Sequence, residues 1–468
     1  MKLLTKLCFA LLCLAMLLCI VGCGGQTPQA TDPTEDTQPP ADPRTVYTTA
    51  RQMLNYAPNL QLVVSETETR TIGDTSYSQS TSSVISYAGL HTDAFSAVVE
   101  ENLVFGSYEN SYKTFFLNGT AYADVMDYTF SHPMTAEEFI SGQTPAILLD
   151  ATLYGTITKE TTLAGTMLYF SDPSALEYWV TKPAEVELIS AEGSALINKA
   201  GMLLSSAYSA QYKIGQTEYS LSVTVTASAP VSMDLSDSYP PELEAATPIS
   251  YFSAPRLLLQ AVGSICATQN LSAEYTETLY CEAADSIRKQ HVQVTAKGTG
   301  SDFSALVDYT ATLTNYAGLS ETNIQQETYE NGAYTYSLNG SKPTVLQTVT
   351  VEQMRTYCED TVLSALLSID YLSNAVLDDD GDRITLQMTG TEAMAEDLCD
   401  SIYTMLNTDL DQNAQSYRTS RIGGYLTIDK STGLPVEAGI YLTRIHVIGG
   451  ASYTMTYELS ETIALPVQ

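Results

Sequence analysis

The chain carries one set of short signatures twice, in the same order, and this repetition restricts its fold more than any other feature. In the first half, Asn198-Lys199-Ala200-Gly201 precedes the stretch Tyr219–Val225. In the second, Asp429-Lys430-Ser431-Thr432-Gly433 precedes Tyr453–Leu459. The two lysines lie 231 residues apart and the two tyrosines 234. Further upstream, Tyr108-Glu109-Asn110 and Leu117-Asn118-Gly119 match Tyr329-Glu330-Asn331 and Leu338-Asn339-Gly340. Tyr87–Leu90 matches Tyr316–Leu319 at a looser spacing. Self-similarity at half the chain length predicts two copies of one folding unit.

The repeated stretches read as strands. Tyr219, Leu221, Val223 and Val225 alternate with serine and threonine, as do Tyr453, Met455, Tyr457 and Leu459 with their polar neighbours. A period of two puts one apolar and one hydroxylated face on each strand. Asn118-Gly119 and Asn339-Gly340 signal hairpins, because both central positions of a type I′ turn need positive φ. The many tyrosines (31), with recurring threonine, suit a half-solvated pleated surface.

Helices interrupt the pattern. Thr135–Glu138 and Thr350–Gln353 fit capping boxes, the second opening an amphipathic run through Leu367. Asp172-Pro173 pairs a cap residue with a first-turn proline and starts a helix through Trp179. Its counterpart runs from about Glu392 to Met405. Each half opens with a helix, near Val46–Tyr56 and Arg256–Thr268. The expected class is α+β, mostly antiparallel β. It comprises a first repeat over 45–229, a proline-rich linker over 230–254 that could add an edge strand, and a second repeat over 255–468.

The N-terminus reads as an export signal. Lys2 and Lys6 precede an apolar stretch that ends at Val21-Gly22-Cys23. An uncleaved anchor is the rival reading, but it has no need of a small residue and a cysteine at its end. Residues 24–44 then hold five prolines and no large apolar residue, so they cannot bury enough surface to order themselves. They read as an extended tether of about 3 Å per residue. The whole chain carries a formal charge of −33, and loss of residues 1–22 removes two lysines and no acid. A field of that sign opposes binding to nucleic acid and to anionic surfaces.

Ile20-Val21-Gly22-Cys23 resembles the lipobox of bacterial lipoproteins. The resemblance implies a signal peptide over 1–22 and a diacylglycerol thioether on Cys23. It places the protein on the outer face of the cytoplasmic membrane, in keeping with a Gram-positive envelope. Two acyl chains anchor stably where one is marginal. The helix, meander, helices and final strands, together with Leu426–Pro435, resemble the periplasmic lipoprotein-carrier superfamily and its Gram-positive and mycobacterial relatives, once per half. That resemblance implies a curved, unclosed barrel with helices on its concave side and an apolar cavity between. The first half carries Asn198 where the motif has aspartate.

Four cysteines follow Cys23: Cys266, Cys281, Cys358 and Cys399. An even count in an exported chain permits two disulfides in three connectivities, and buried free thiols are the alternative. Their spacing matches no zinc site. Ser286-Ile287-Arg288-Lys289 fits S-x-x-K without the companion elements that serine acyl-transferring enzymes need, and reads as a polar loop. Asp378–Asp382 has its glycine one place early for an EF-hand and no glutamate where one is needed. His91, His132, His291 and His446 are scattered. No catalytic residue, metal or cofactor is therefore expected. Three readings follow: a binding protein for a lipid or acylated ligand, an envelope module that binds a protein partner, and a hydrolase with a site assembled from distant residues.

Overall fold

The computed structural model describes residues 42–464, except 74, 107, 126–127, 146–147, 149–155, 172–185, 241–242, 316, 348, 364–374 and 407–408. Cys23, the tether up to residue 41, the helix expected from Asp172 and the extension to Leu367 lie outside the described residues; Asp42–Arg44, read as the end of the tether, instead cap and open the first helix.

The first half begins with α1 (Pro43–Asn55) and continues through β1 (Asn59–Ile72), β2 (Thr75–Ala88), β3 (Ser96–Phe105), β4 (Tyr108–Leu117), β5 (Thr120–Val125) and β6 (Tyr128–Pro133). After α2 (Ala136–Gln143) come β7 (Thr156–Thr161), β8 (Gly165–Ser171), β9 (Val186–Asn198), β10 (Leu203–Ile214) and β11 (Thr217–Ser228), then the short β12 (Thr247–Pro248). The second half opens with α3 (Ala254–Ala267), then β13 (Leu271–Cys281), β14 (Ser286–Lys297), β15 (Ser304–Thr314), β16 (Ser320–Glu330), β17 (Ala333–Leu338) and β18 (Thr344–Gln347). It closes with α4 (Val351–Leu363), β19 (Val376–Asp379), β20 (Arg383–Thr389), α5 (Glu392–Leu406), α6 (Leu410–Asn413), β21 (Ser416–Asp429), β22 (Pro435–Ile448) and β23 (Ala451–Ala464).

These strands form two large sheets, neither closed into a barrel. The first runs β12-β6-β5-β4-β3-β2-β1-β11-β10-β9-β8-β7 and the second β18-β17-β16-β15-β14-β13-β23-β22-β21-β20-β19. Without β12 the two orders are identical, so each half is one copy of a single antiparallel unit. On β11 every second residue from Thr217 is buried and every intervening one exposed. The buried side is the face the helices cover.

Local chemistry explains the helices. Asp42 accepts from the Thr45 amide with a proline behind it, and Tyr47, Ala50, Arg51 and Leu54 form the buried stripe of α1 at helical spacing. The capping box at α2 is complete: the Thr135 hydroxyl accepts from the Glu138 amide, and the Glu138 carboxylate accepts from the Thr135 amide. Thr350 and Gln353 do the same ahead of α4.

The halves share one contiguous apolar core and form one compact unit. Helix α3 joins them. It opens the second repeat, yet it packs on β3 and β4 of the first sheet as well as on β22 and α4 of the second. Gly263 lets this happen, since a Cβ there would collide with the Phe105 ring. Beneath it, the turn Asp429–Leu434 of the second sheet meets the first sheet. The Arg70 guanidinium donates to the Thr432 carbonyl at 2.9 Å, and the Tyr219 hydroxyl donates to the Ser431 carbonyl.

Residues 230–254 are a strap rather than a free spacer. Leaving β11 at the middle of the first sheet, they cross its outer face, where Leu235 and Tyr239 pack on Ala88, Val98 and Phe115. They then pair with edge strand β6 in parallel as β12 and return to the inner face with Ile249 and Phe252. The edge strand expected within this stretch is therefore present.

Three of the matches between the halves need correction, the first being Tyr108–Asn110 with Tyr329–Asn331, since Tyr108 opens β4 whereas Tyr329 lies near the end of β16. By topology the β4–β5 turn at Asn118-Gly119 corresponds to the β16–β17 turn at Asn331-Gly332, both with positive φ. Asn339-Gly340 belongs to the next hairpin. Tyr87 ends β2, whereas Tyr316–Leu319 follows β15, so that match is coincidental. Ser286–Lys289 lies on β14 rather than in a loop. Strand parity sends the buried Ser286 and the exposed Lys289 to opposite faces of the sheet, which rules out joint action.

Candidate ligand chamber on the first sheet

The inward positions of β1 start apolar, at Leu60, Leu62 and Val64, and then turn polar at Glu66 and Glu68. Register extends the change sideways: Glu66 pairs with Thr81 on β2, Ser83 pairs with Glu101 on β3, and Glu101 pairs with Tyr112 on β4. Together they make a polar floor in the middle of an otherwise apolar inner face. Phe252, Arg256, Leu257 and Gln260, at the start of α3, form the roof, and the segment 142–145 after α2 closes one side. A hydrogen bond of 2.9 Å between the Tyr87 and Thr144 hydroxyls holds that segment over the sheet. The space between them is about 270 Å³ and partly open to solvent.

Arg256 reaches down from the roof and donates its Nε–H to Glu101 at 2.9 Å. Glu101 is nearly covered, whereas 39% of the Arg256 side chain stays accessible and lines the chamber. Burial pushes the Glu66 carboxyl above the usual carboxylate range. Arg256 pulls it the other way, while Glu68 and Glu101 add to the push. No hydrogen bond to Glu66 is made among the described residues. The chamber thus holds a neutralised Glu101–Arg256 pair and one unpaired acid.

The carrier-like resemblance implied an apolar cavity. The space described here differs because four of its inward floor positions are Glu66, Thr81, Ser83 and Glu101. Two larger hollows, of about 560 and 680 Å³, lie open on the outer face of the same sheet, one over β7–β11 and the other beside the strap.

A second charged cluster has a structural role. Arg444, fully buried on β22, donates Nε–H and Nη2–H to the two oxygens of Asp411 at 3.2 and 2.7 Å, and Nη1–H to Glu392 at 3.2 Å. The Tyr403 hydroxyl is 2.8 Å from Asp411, and His446 Nε2 is 2.9 Å from it. This network fastens α5 and α6 to the second sheet. The lowered pKa of His446, caused first by burial, keeps the ring neutral.

The four cysteines stand as separate thiols, Cys266 on α3, Cys281 on β13, Cys358 on α4 and Cys399 on α5, the last three buried. Of the two alternatives the sequence left open, the structure holds the free thiols. Burial raises Cys266 and Cys358 to about 12 and Cys399 to about 11, so none is a ready nucleophile. The acidic turn Asp378–Asp382 satisfies itself: Asp379 accepts from the Gly381 amide and from Lys430, and Asp380 accepts from the Arg383 amide. His132 bonds the Ile249 carbonyl and His291 faces Glu274, so each histidine has its own local partner.

No protein-family model matches the chain, and no curated protein matches it in sequence. Solved structures do. LprF from Mycobacterium bovis is 10% identical with a TM-score of 0.25, covering 41% of this chain and 95% of its own. A DUF1329 family protein from Desulfovibrio piger is 10% identical with a TM-score of 0.18, covering 43% and 98%. An anion-selective porin from Comamonas acidovorans is 8% identical with a TM-score of 0.12, covering 86% and 98%. Likenesses this loose carry no argument about function. The strand order itself defines the class: a duplicated, unclosed antiparallel sheet with helices on its inner face.

Proposed function

We propose that this protein is a lipid-anchored, extracytoplasmic, non-catalytic binding protein for an amphipathic ligand, held to the membrane by an acylated Cys23. The observation that carries the reading is the chamber, whose lining sets polar and charged groups (Glu66, Thr81, Ser83, Glu101, Arg256, Gln260) beside apolar side chains (Val64, Ile85, Phe252, Leu257). Such a lining suits a ligand with a polar end and an apolar remainder. At about 270 Å³ it takes a polar head or a small amphiphile, not two acyl chains.

Native mass spectrometry with solvent extraction, on residues 24–468 purified without detergent, tests this directly. A retained amphiphile supports the reading and its mass gives the class. A bare mass that persists after incubation with the native organism's lipid extract overturns it. The anchor has its own test: Cys23→Ser moves the protein from the detergent phase to the aqueous phase on phase partitioning, and an unchanged distribution argues against acylation.

A second reading, an envelope module that binds a protein partner, is favoured by the exposed apolar side chains Leu313, Leu319, Ile324, Leu338 and Val345 around β15–β18. Crosslinking in cells from positions 319 and 345 to one repeated partner would support it.

A further inference from the structure

The charges of the chamber are arranged in an order that a single-sign ligand does not satisfy. Glu101 holds only the Nε–H of Arg256. The four N–H groups on its two Nη atoms meet no acceptor among the described residues, and Arg256 lines the chamber. Glu66 lines the same space, feels the Arg256 charge, and yet makes no ion pair with it within 4.0 Å. Two opposite charges thus face one chamber without closing on each other, because Glu101 detains the guanidinium. A guanidinium with much of its side chain accessible and donors to spare is open to a ligand's acceptors.

From this arrangement we infer that the chamber takes a zwitterion, a small group bearing both an ammonium and a carboxylate or phosphate. Its anionic end takes the free Nη edge of Arg256, the fork that matches such oxyanions in two parallel bonds. Its cationic end takes Glu66, with Tyr112 and Tyr208 in the same lining. A lone cation would leave the Arg256 donors unmet, and a lone anion would leave Glu66 unmet. The inference rests on the binding-protein reading and names the chemistry of the ligand's polar end. That chemistry occurs both in free metabolites and in the headgroups of zwitterionic lipids.

Isothermal titration of the mature chain with O-phosphoethanolamine, and separately with its halves ethanolamine and inorganic phosphate, tests the idea. The zwitterion should bind at least roughly tenfold more tightly than either half. Glu66→Gln should weaken the zwitterion by a similar factor while leaving phosphate unchanged, and Glu330→Gln, the same charge change at an exposed position of the second sheet, should fold and bind as the parent does. Ethanolamine binding as well as the zwitterion, phosphate binding as well, or binding by none of the three each overturns it. Vesicles of phosphatidylethanolamine against phosphatidylglycerol then tell the lipid headgroup from the free molecule. If native mass spectrometry finds an amphiphile that Glu66→Gln retains in full, the binding reading survives and the zwitterion is refuted. If no amphiphile is found but phosphoethanolamine binds, the reverse holds.

Discussion

Arg70 on the first sheet donates to the backbone carbonyl of Thr432 on the second, across 362 positions of sequence. The bond marks a difference between the two copies of the repeated turn. Asn198 and Asp429 shape their turns alike, each accepting backbone amides two to four residues on. Only the second turn carries carbonyls into the neighbouring sheet.

Gly433 should therefore be the sensitive point of that junction. It sits at φ 66°, and a Cβ would meet Arg70 Nη1 at 2.5 Å. Gly450, at φ 83° with open space around it, supplies the comparison. Gly450→Ala should cost about 1–2 kcal/mol for the left-handed backbone alone, and Gly433→Ala about 1 kcal/mol more for displacing Arg70. Equal losses in urea unfolding would mean the turn is not pressed against Arg70.

Removing Asp411 strands a fully buried guanidinium. Asp411→Ala should cost about 3–5 kcal/mol and lower the hydrogen-exchange protection of α5. Arg444→Met combined with Asp411→Leu should cost less than Asp411→Ala alone. If the double variant proves the less stable, the network contributes more than the burial of its charges takes away.

Glu461 gives a pH signature. It is 1% exposed, neither carboxylate oxygen has a hydrogen-bond partner, and burial raises its pKa to about 9. Below about pH 4.3 both folded and unfolded chains carry the proton. Above that the unfolded chain releases it and the folded chain does not, so the folded state binds more protons and stability falls as pH rises towards 9. Glu461→Gln should flatten that part of the profile, read as the difference between parent and variant unfolding curves from pH 5 to 9. Parallel curves would show that Glu461 ionises freely in the fold.

The strap over 230–254 should behave as a detachable element. Tyr239, its ring 5.8 Å from that of Phe115, and Leu235 cover the outer face of the first sheet. Leu235→Ser with Tyr239→Ala should cost about 2–4 kcal/mol and open the backbone between 230 and 246 to limited proteolysis. Cleavage elsewhere first would show that the strap is not the weakest segment.

The parts of this architecture legible in the sequence are those governed by near neighbours. Alternation over Tyr219–Val225 and the boxes at Thr135–Glu138 and Thr350–Gln353 depend on spacing within a few residues, and all stand as read. The correspondence of the hairpins did not follow, because asparagine–glycine turns close two successive hairpins, at 331–332 and 339–340, and a short motif cannot tell them apart. The chamber was invisible for another reason. Glu66, Glu101 and Arg256 are joined only by strand register and by a helix 155 residues beyond Glu101. The faint trace was the inward face of β1 changing from Val64 to Glu66 and Glu68.

Duplication of the sheet did not duplicate its interior. Strand register places Leu279 where the first sheet has Glu66, and Ala311 where it has Glu101. The acids at these two positions thus belong to one copy while the other contributes Arg256, and a titration should saturate at one equivalent of ligand per chain, with no cooperativity between halves.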